Sequence, residues 1–161
     1  IGFVSIKNNS IGENNAFQRV SGSISEAGMV AVAIDLTSVE TGVGIRNERL
    51  QTMLFDVASF PSATVKATLT PAQVMALRGG GTVTESVALD VSLYGTTVSK
   101  TAELLVSVLD DDVRVTSTQP IMITAQDFGL ESGVAALQKI AGLSAISRSI
   151  PITGDLRLKA N

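Results

Sequence analysis

Apolar and polar residues alternate along most of this chain, which is the pattern of strands with one buried face. Between residues 29 and 36, for example, Val30, Val32 and Ile34 alternate with smaller or polar residues. The same alternation predicts strands over residues 3–7, 19–24, 29–36, 63–69, 83–94, 101–109, 113–117, 121–124 and 150–158. Turns rich in Gly, Asn and Asp separate these strands, because such residues tolerate the positive φ angles of tight hairpins. The pattern predicts an all-β chain with consecutive antiparallel strands.

Helical spacing interrupts the strands in two places. Residues 45–55 and 131–143 each place apolar side chains on one face, at Ile45, Leu50, Met53, Leu54, Val134, Leu137, Ile140 and Ala141. Thr70 before Pro71 predicts an additional single helical turn, since Pro is favoured at the first helical position. We expect the two longer helices to close the ends of a barrel formed by the strands.

About eight antiparallel strands close into a barrel without exposed edges, and the interior of such a barrel is just wide enough for a small ligand. At 161 residues the chain is long enough to enclose a core or a cavity. We therefore predict a single domain over residues 1–161: an all-β, antiparallel barrel of about eight strands with two short helical inserts.

Composition narrows the classes of function. With a net charge of −3, the chain lacks the positive electrostatic potential that would bind the phosphates of a nucleic acid. The chain has neither Cys nor His, which excludes disulfides, thiolate chemistry, Ser-His-Asp triads and most zinc sites. Hydrophobic residues make up 45% of the chain, yet no run reaches the roughly 18 to 20 apolar residues of a membrane span. We expect a water-soluble, non-enzymatic protein that buries apolar surface and holds no metal or cofactor.

The side chains predicted to face inward are mostly small and aliphatic: Val30, Val32, Ile34, Ala63, Val65, Val87, Leu89, Val91, Leu93, Leu104, Val106, Val108, Ile152 and Leu156. Aromatic residues make up only 4% of the chain and Trp is absent. Two interpretations follow. Either the barrel flattens and fills its own interior, or a bound ligand supplies the missing volume.

Residues 35–61 change from strand to helix and back to strand within a short span. This segment resembles the core motif of the YceI-like family at Asp35, Ser38, Thr41, Arg46, Asn47, Leu50, Phe55, Phe60 and Pro61. The resemblance continues at 88–98, at 127–130 and in the closing strand, although Asn47 stands where the family usually has Asp. It implies a lipocalin-like barrel that holds a polyisoprenoid or similar amphiphilic lipid in the bacterial envelope.

With this resemblance, the predicted function is binding, transport or storage of a polyisoprenoid or similar amphiphilic lipid, either quinone-like or fatty-acid-like. The predicted ligand-binding residues are Val32, Ile34, Arg46, Asn47, Leu50, Leu54, Phe55, Phe60, Val65, Leu89, Val91, Leu93, Tyr94, Leu104, Val106, Phe128, Leu137 and Ile140. Because the chain begins with Ile1, we expect either a removed signal peptide or a trimmed start. The expected location is periplasmic or secreted.

A lipid with a polar head needs only a few directional groups near the cavity mouth. Arg46 and Asn47 are the first candidates, since Arg can form two hydrogen bonds to head-group oxygens. Alternatively, Arg46 forms a buried pair with Asp35 that ties strand to helix. Tyr94 is predicted either to offer its hydroxyl at the barrel rim or to end a solvated strand. Further candidates are Asn14, Asn15 and Arg148.

Other motifs favour ordinary structural roles. Asp110-Asp111-Asp112 lacks the spacing of a calcium loop and is predicted to be a solvated hairpin turn. Gly79-Gly80-Gly81 lacks the Lys-Ser/Thr of a phosphate-binding loop. Two rival functions stay open: an interaction module that forms a homodimer, and a carboxylate-dependent hydrolase or isomerase built on Asp35, Glu40, Glu48 or Asp127.

Overall fold

A computed structural model of the protein, which describes residues 1–109 and 112–160, consists mainly of β-strands. The strands within these ranges are β1 (Gly2–Lys7), β2 (Ile11–Phe17), β3 (Val20–Ile24), β4 (Met29–Asp35), β5 (Val39–Glu40), β6 (Ser62–Thr68), β7 (Gly81–Leu93), β8 (Thr96–Leu109), β9 (Asp112–Ser117), β10 (Ile121–Thr124), β11 (Ser149–Thr153) and β12 (Asp155–Ala160). The α-helices are α1 (Gly44–Arg49), α2 (Pro71–Arg78) and α3 (Glu131–Ile140).

A closed barrel forms the body of the molecule, with its strands in the order β12-β3-β4-β6-β7-β8-β9. Neighbouring strands run antiparallel, apart from the parallel contact of β12 with β3 that closes the ring. The long β7–β8 hairpin turns at Tyr94-Gly95, where both residues have positive φ as a tight two-residue turn requires. The predicted all-β, antiparallel barrel with short helices is therefore confirmed.

A second sheet has its strands in the order β10-β11-β1-β2-β5. Its β1–β2 hairpin pairs Phe3 with Asn15 and Ser5 with Glu13. Side chains on one face of this sheet line the same cavity as the inner face of the barrel. The sheet therefore forms one wall of the cavity and contributes polar as well as apolar groups.

The division of strands between two sheets departs from the predicted single barrel of consecutive antiparallel strands. Residues 150–158, predicted as one strand, are split at Gly154 into β11 and β12, which belong to different sheets. β2 and β5 were not predicted, because the inward positions of β2 include Glu13 and Asn15, and β5 has only two residues. In the described ranges the closed ring thus has seven strands rather than about eight.

The helices also differ from their predicted bounds. α1 continues into a π-helical turn over Leu50–Leu54, where the Phe55 amide donates to the Leu50 carbonyl at 2.9 Å. α2 has eight residues rather than one turn, and Thr70 caps it by accepting from the Gln73 amide at 3.3 Å. α3 ends at Ile140, three residues before the predicted end. No helix among the described residues is long and apolar enough to cross a membrane.

Candidate functional site

A cavity of about 670 Å³ runs through the barrel interior. Most of the strand side chains that line it are apolar, and they include Val30, Val32, Ile34, Ala63, Val65, Val87, Leu89, Val91, Leu93, Leu104, Val106, Ile152 and Leu156. These are the predicted inward positions except Val108, which instead packs against the core beyond Val106, near the end of β8. The strand alternation therefore assigns the inner face correctly, and the barrel does not fill its own interior.

Residues at the helical end close part of the cavity. Leu50 and Leu54 lie in the π-helical continuation of α1, and Phe55 follows it directly. Facing them are Phe128, Leu137 and Ile140, from the turn before α3 and from α3 itself. α3 approaches this continuation closely at Gly133, where an added Cβ would lie 3.0 Å from the Met53 carbonyl oxygen.

Aromatic rings mark the boundary between the apolar and polar parts of the lining. Phe3 on β1 stacks on Phe17 on β2 with ring centroids 5.3 Å apart, and Phe17 contacts Phe55 at 5.8 Å. Moving along β1 and β2 away from these rings, the next inward residues are Ser5 and Asn15. One wall of the cavity therefore changes from apolar to polar within two residues.

A charged cluster lies farther along the same two strands. Glu13 accepts from the Lys7 ammonium at 2.9 Å and from Arg46 Nη1 on α1 at 2.9 Å. The hydrogen bond from Lys7 is the largest cause of a lowered Glu13 pKa, and the positive charges of Arg46 and Lys7 also lower it. The cluster joins the second sheet to α1 and gives the cavity one polar end.

Exposed apolar side chains surround this end. Val43, Ile45 and Ile140 all line the cavity, yet they are 40%, 54% and 49% exposed. Lining residues that are also exposed show that the cavity reaches solvent between α1 and α3. We refer to Val43, Ile45 and Ile140 as the mouth.

The predicted pair of Arg46 with Asp35 is wrong. Asp35 instead accepts from Arg19 Nε at 2.8 Å and from the Thr37 amide at 2.8 Å on the outer surface. The hydroxyl of Thr37 and the guanidinium of Arg19 lower the pKa of Asp35. Arg46 turns to Glu13 because that carboxylate projects from β2, a strand that the periodicity missed.

Three predicted ligand-binding residues lie outside the cavity lining. Asn47 accepts from the Thr41 amide at 2.9 Å and donates to Glu40 at 3.2 Å, so its side chain fixes the loop before α1. Phe60 and Tyr94 pack on each other at the β7–β8 turn, with centroids 4.7 Å apart. Their shared role is to cover that turn.

The remaining predicted ligand-binding residues line the cavity: Val32, Ile34, Arg46, Leu50, Leu54, Phe55, Val65, Leu89, Val91, Leu93, Leu104, Val106, Phe128, Leu137 and Ile140. That they contact a ligand stays a prediction. Among the further candidates, Asn15 lines the cavity, Asn14 is exposed, and Arg148 donates to Glu131 at 3.3 Å.

Other candidate motifs take structural positions. Asp127 accepts from Lys100 and from the Thr124 amide, each at 2.8 Å, and this ties β8 to the turn after β10. The contact with Lys100 is the main cause of a lowered Asp127 pKa. Gly80 and Gly81 have positive φ where α2 turns into β7. Asp110 and Asp111, predicted to form a hairpin turn, lie outside the described residues.

Comparison with known proteins identifies the family. The model of the YceI-like domain matches residues 3–158. The chain belongs to the YceI-like family. Among curated proteins no significant match was found.

Solved structures with the same fold include a polyisoprenoid binding domain from Saccharophagus degradans implicated in plant cell wall breakdown. It is 33% identical, with a TM-score of 0.92, over 99% of this chain and 92% of that domain. BcnA of Burkholderia cenocepacia is 17% identical with a TM-score of 0.70, over 98% of this chain and 96% of its own. The YceI protein of Campylobacter jejuni is 12% identical with a TM-score of 0.63, over 91% of this chain and 84% of its own. The latter two share the fold of this YceI-like chain.

Proposed function

We propose that this protein binds one amphiphilic lipid with a long apolar tail, of the polyisoprenoid or a similar class. The observation that carries the proposal is a cavity of about 670 Å³ with apolar walls and one polar end. Such a cavity favours a ligand with the same division into tail and head. Each methylene that it takes from water contributes roughly 0.8 kcal/mol, so a tail of about ten methylenes supplies roughly 8 kcal/mol before the costs of binding.

The relative from Saccharophagus degradans supports this choice of ligand class, since it is a polyisoprenoid binding domain and matches nearly the whole chain. The mouth supports a route of entry, because its apolar residues continue the cavity lining to the surface. A tail that enters first would pass between α1 and α3 and leave its head at the polar end.

We propose further that the bound lipid leaves chemically unchanged. Asp35, Glu40 and Asp127 each have a lowered pKa caused by local hydrogen bonds, which is the opposite of what a general acid requires at neutral pH. None of these three carboxylates lines the described cavity. Glu13 does line it, but its pKa is also lowered, by Lys7 and Arg46, which makes it a weak base.

A non-enzymatic lipid-binding protein of this kind carries or stores its ligand, and we propose that role, in the periplasm or outside the cell. The proposed envelope location is the one that the resemblance to the YceI-like family implies. No resident cofactor or metal is part of the proposal; the ligand itself is the only small molecule required.

Extraction of the purified protein with organic solvent, followed by mass spectrometry, tests the proposal. We expect one lipid with a long apolar tail per chain. An empty protein that also fails to take up an added polyprenol would contradict the proposal. If that empty protein is a dimer in solution, the interaction module becomes the better account.

A further inference from the structure

The charged side chains that line the described cavity are mostly positive. They are Lys7, Arg46 and Arg49, which are accompanied by a single carboxylate, Glu13. The chain as a whole has a net charge of −3, so this positive excess is a local property of the polar end. A positive potential at one end of an otherwise apolar cavity attracts an anion, because the low-dielectric walls weaken the screening by water.

Arg49 is the cation of this group that lacks an ion pair. It is the last residue of α1, it is half-buried, and it lines the cavity. Within the described part of the chain, no carboxylate lies within ion-pair distance of its guanidinium. Arg46 lies three residues earlier on the same helix, and residues at this spacing are neighbours on one helix face. An anion beside both would be attracted by each and would offset the repulsion between the two like charges.

Lys7 and Arg46 keep free hydrogen-bond donors in addition to their contacts with Glu13. Lys7 uses one of its three N–H groups for Glu13, at 2.9 Å, and Arg46 uses two of its five, at 2.9 and 3.4 Å. Their side chains are 28% and 31% exposed, so both are partly withdrawn from water. An oxygen of a ligand can therefore accept from either residue without breaking its pair with Glu13.

The cations lie where the head of a lipid would come to rest. Arg46 and Arg49 are on α1, the helix that also carries Ile45 of the mouth. A tail that enters through the mouth continues into the apolar barrel, so the head is the part of the ligand that stays beside α1. The guanidinium group presents paired N–H donors that match the oxygens of a phosphate or a carboxylate.

From this arrangement we propose that the ligand head is an oxyanion, a phosphate or a carboxylate, which Arg49 binds together with the free donors of Lys7 and Arg46. The inference rests on the proposed lipid binding and narrows the ligand class to lipids with an ionised head. Alcohols and neutral quinones with the same tail leave the positive excess of the polar end uncompensated, so they bind more weakly.

Lipids with one tail and different heads test the inference. The delipidated full chain is titrated at neutral pH with geranylgeraniol, geranylgeranoic acid and geranylgeranyl phosphate, and separately with inorganic phosphate, and binding is followed by calorimetry. We expect each anionic lipid to bind about tenfold or more tightly than the alcohol, because hydrogen bonds between charged groups are stronger than those to a neutral hydroxyl. In Arg49→Met, this preference should fall by about threefold or more, since the unpaired cation is gone.

Arg78→Met is the matched control, because Arg78 is likewise the last residue of a short helix, α2, but is exposed and outside the cavity lining. It removes the same charge and should keep the preference of the wild type. Binding of the alcohol by Arg49→Met shows that this variant is folded.

Three results would overturn the inference while leaving lipid binding intact. The first is an alcohol that binds the wild type as tightly as the better of the two anionic lipids. The second is a preference for anions that Arg49→Met leaves unchanged. The third is inorganic phosphate that binds as tightly as geranylgeranyl phosphate, since the anion would then not belong to a lipid head. If none of the three lipids binds, the proposed lipid binding itself fails together with this inference.

Discussion

Glu13 forms ion pairs with two cations, Lys7 and Arg46, and each of these cations has Glu13 as its ion-pair partner. Replacing Glu13 by Gln removes both pairs and leaves two neighbouring positive charges. Replacing Arg46 by Met removes one pair and leaves Glu13 bound to Lys7. We expect Glu13→Gln to lower the free energy of unfolding by about 1–2 kcal/mol and Arg46→Met by about 0.5 kcal/mol, since the side chains are only partly buried.

Urea unfolding at pH 7 measures both effects, with Glu48→Gln, an exposed carboxylate on α1, as the control. A cost for Arg46→Met as large as that for Glu13→Gln would contradict the shared role of Glu13.

Asp127 makes the stability of the fold depend on pH. Its pKa in the folded protein is lowered from the usual 3.8, first by the hydrogen bond from Lys100 and then by the Thr124 amide. A lowered folded-state pKa stabilises the protein above the unfolded-state value, and this contribution is lost as the pH falls through the folded-state value. Asp127→Asn should therefore be less stable than wild type at pH 7, and the difference should shrink below about pH 3.8.

Denaturant unfolding of wild type and Asp127→Asn at pH 7 and at pH 3 tests whether the stability difference between them shrinks at low pH. A difference in stability that is unchanged or larger at pH 3 would show that Asp127 acts through packing alone.

At the scale of elements, the contact of α3 with the continuation of α1 depends on a glycine. An added Cβ at Gly133 would lie 3.0 Å from both Leu54 Cδ1 and the Met53 carbonyl oxygen. Gly133→Ala should therefore destabilise the protein by about 1–3 kcal/mol, although Ala is the better helix former.

Gly44 at the start of α1 is the matched comparison, because a Cβ there would meet no described heavy atom within 4 Å. Gly44→Ala should be neutral or should stabilise by about 0.4–1 kcal/mol. Thermal melts compare the two variants. Equal effects of the two substitutions would mean that α3 does not require the close approach at Gly133.

Strands β7 and β8 offer positions at which the assignment of residues to the cavity interior can be tested. Val91 and Leu104 line the cavity, so Val91→Trp and Leu104→Trp should occupy tail volume and weaken lipid binding. Their cost in stability should be about 1–3 kcal/mol or less, because the bulky ring enters existing space. Leu105→Trp is the control, since Leu105 is the next residue and is exposed. Because the wild type has no Trp, the emission of the introduced Trp reports the environment of each position, and calorimetry measures lipid binding by all three variants.

A blue-shifted emission in Val91→Trp and Leu104→Trp, but not in Leu105→Trp, is the expected result. Undiminished lipid binding by both inward variants would contradict the assignment of the inner face.

Alternation of apolar and polar residues was enough to predict the barrel strands and their inward faces, because one side of each strand meets an apolar interior. It failed at β2, where the inward residues Glu13 and Asn15 are polar and the period is hidden. It also could not predict the contact of β12 with β3, since pairing between distant strands depends on closure of the whole sheet.

The same limit explains the errors in the candidate site. Arg46 lines the cavity, but its ion-pair partner Glu13 lies on the missed strand, so Asp35, on the predicted strand before α1, was chosen instead. Asn47 carries the polar side chain that a head group needs, yet its hydrogen bonds to the preceding loop are a tertiary feature without a periodic signal.

At the scale of the whole molecule, the cavity couples ligand binding to folding. The lining comes from both sheets and from α1 and α3, so the binding surface exists only when all of these elements are assembled. A ligand that binds only the folded state raises its stability by RT ln(1 + [L]/Kd), which is about 2.7 kcal/mol at a hundredfold excess over Kd. Removal of the lipid should therefore lower the melting temperature.

The most direct test of the account is the melting temperature of delipidated wild type and Leu104→Trp, measured with and without geranylgeraniol. We predict that the alcohol raises the melting temperature of the wild type by several degrees, saturating at one lipid per chain, and raises that of Leu104→Trp much less. The account would be contradicted by a wild-type melt that the lipid leaves unchanged, or by an equal rise in both proteins.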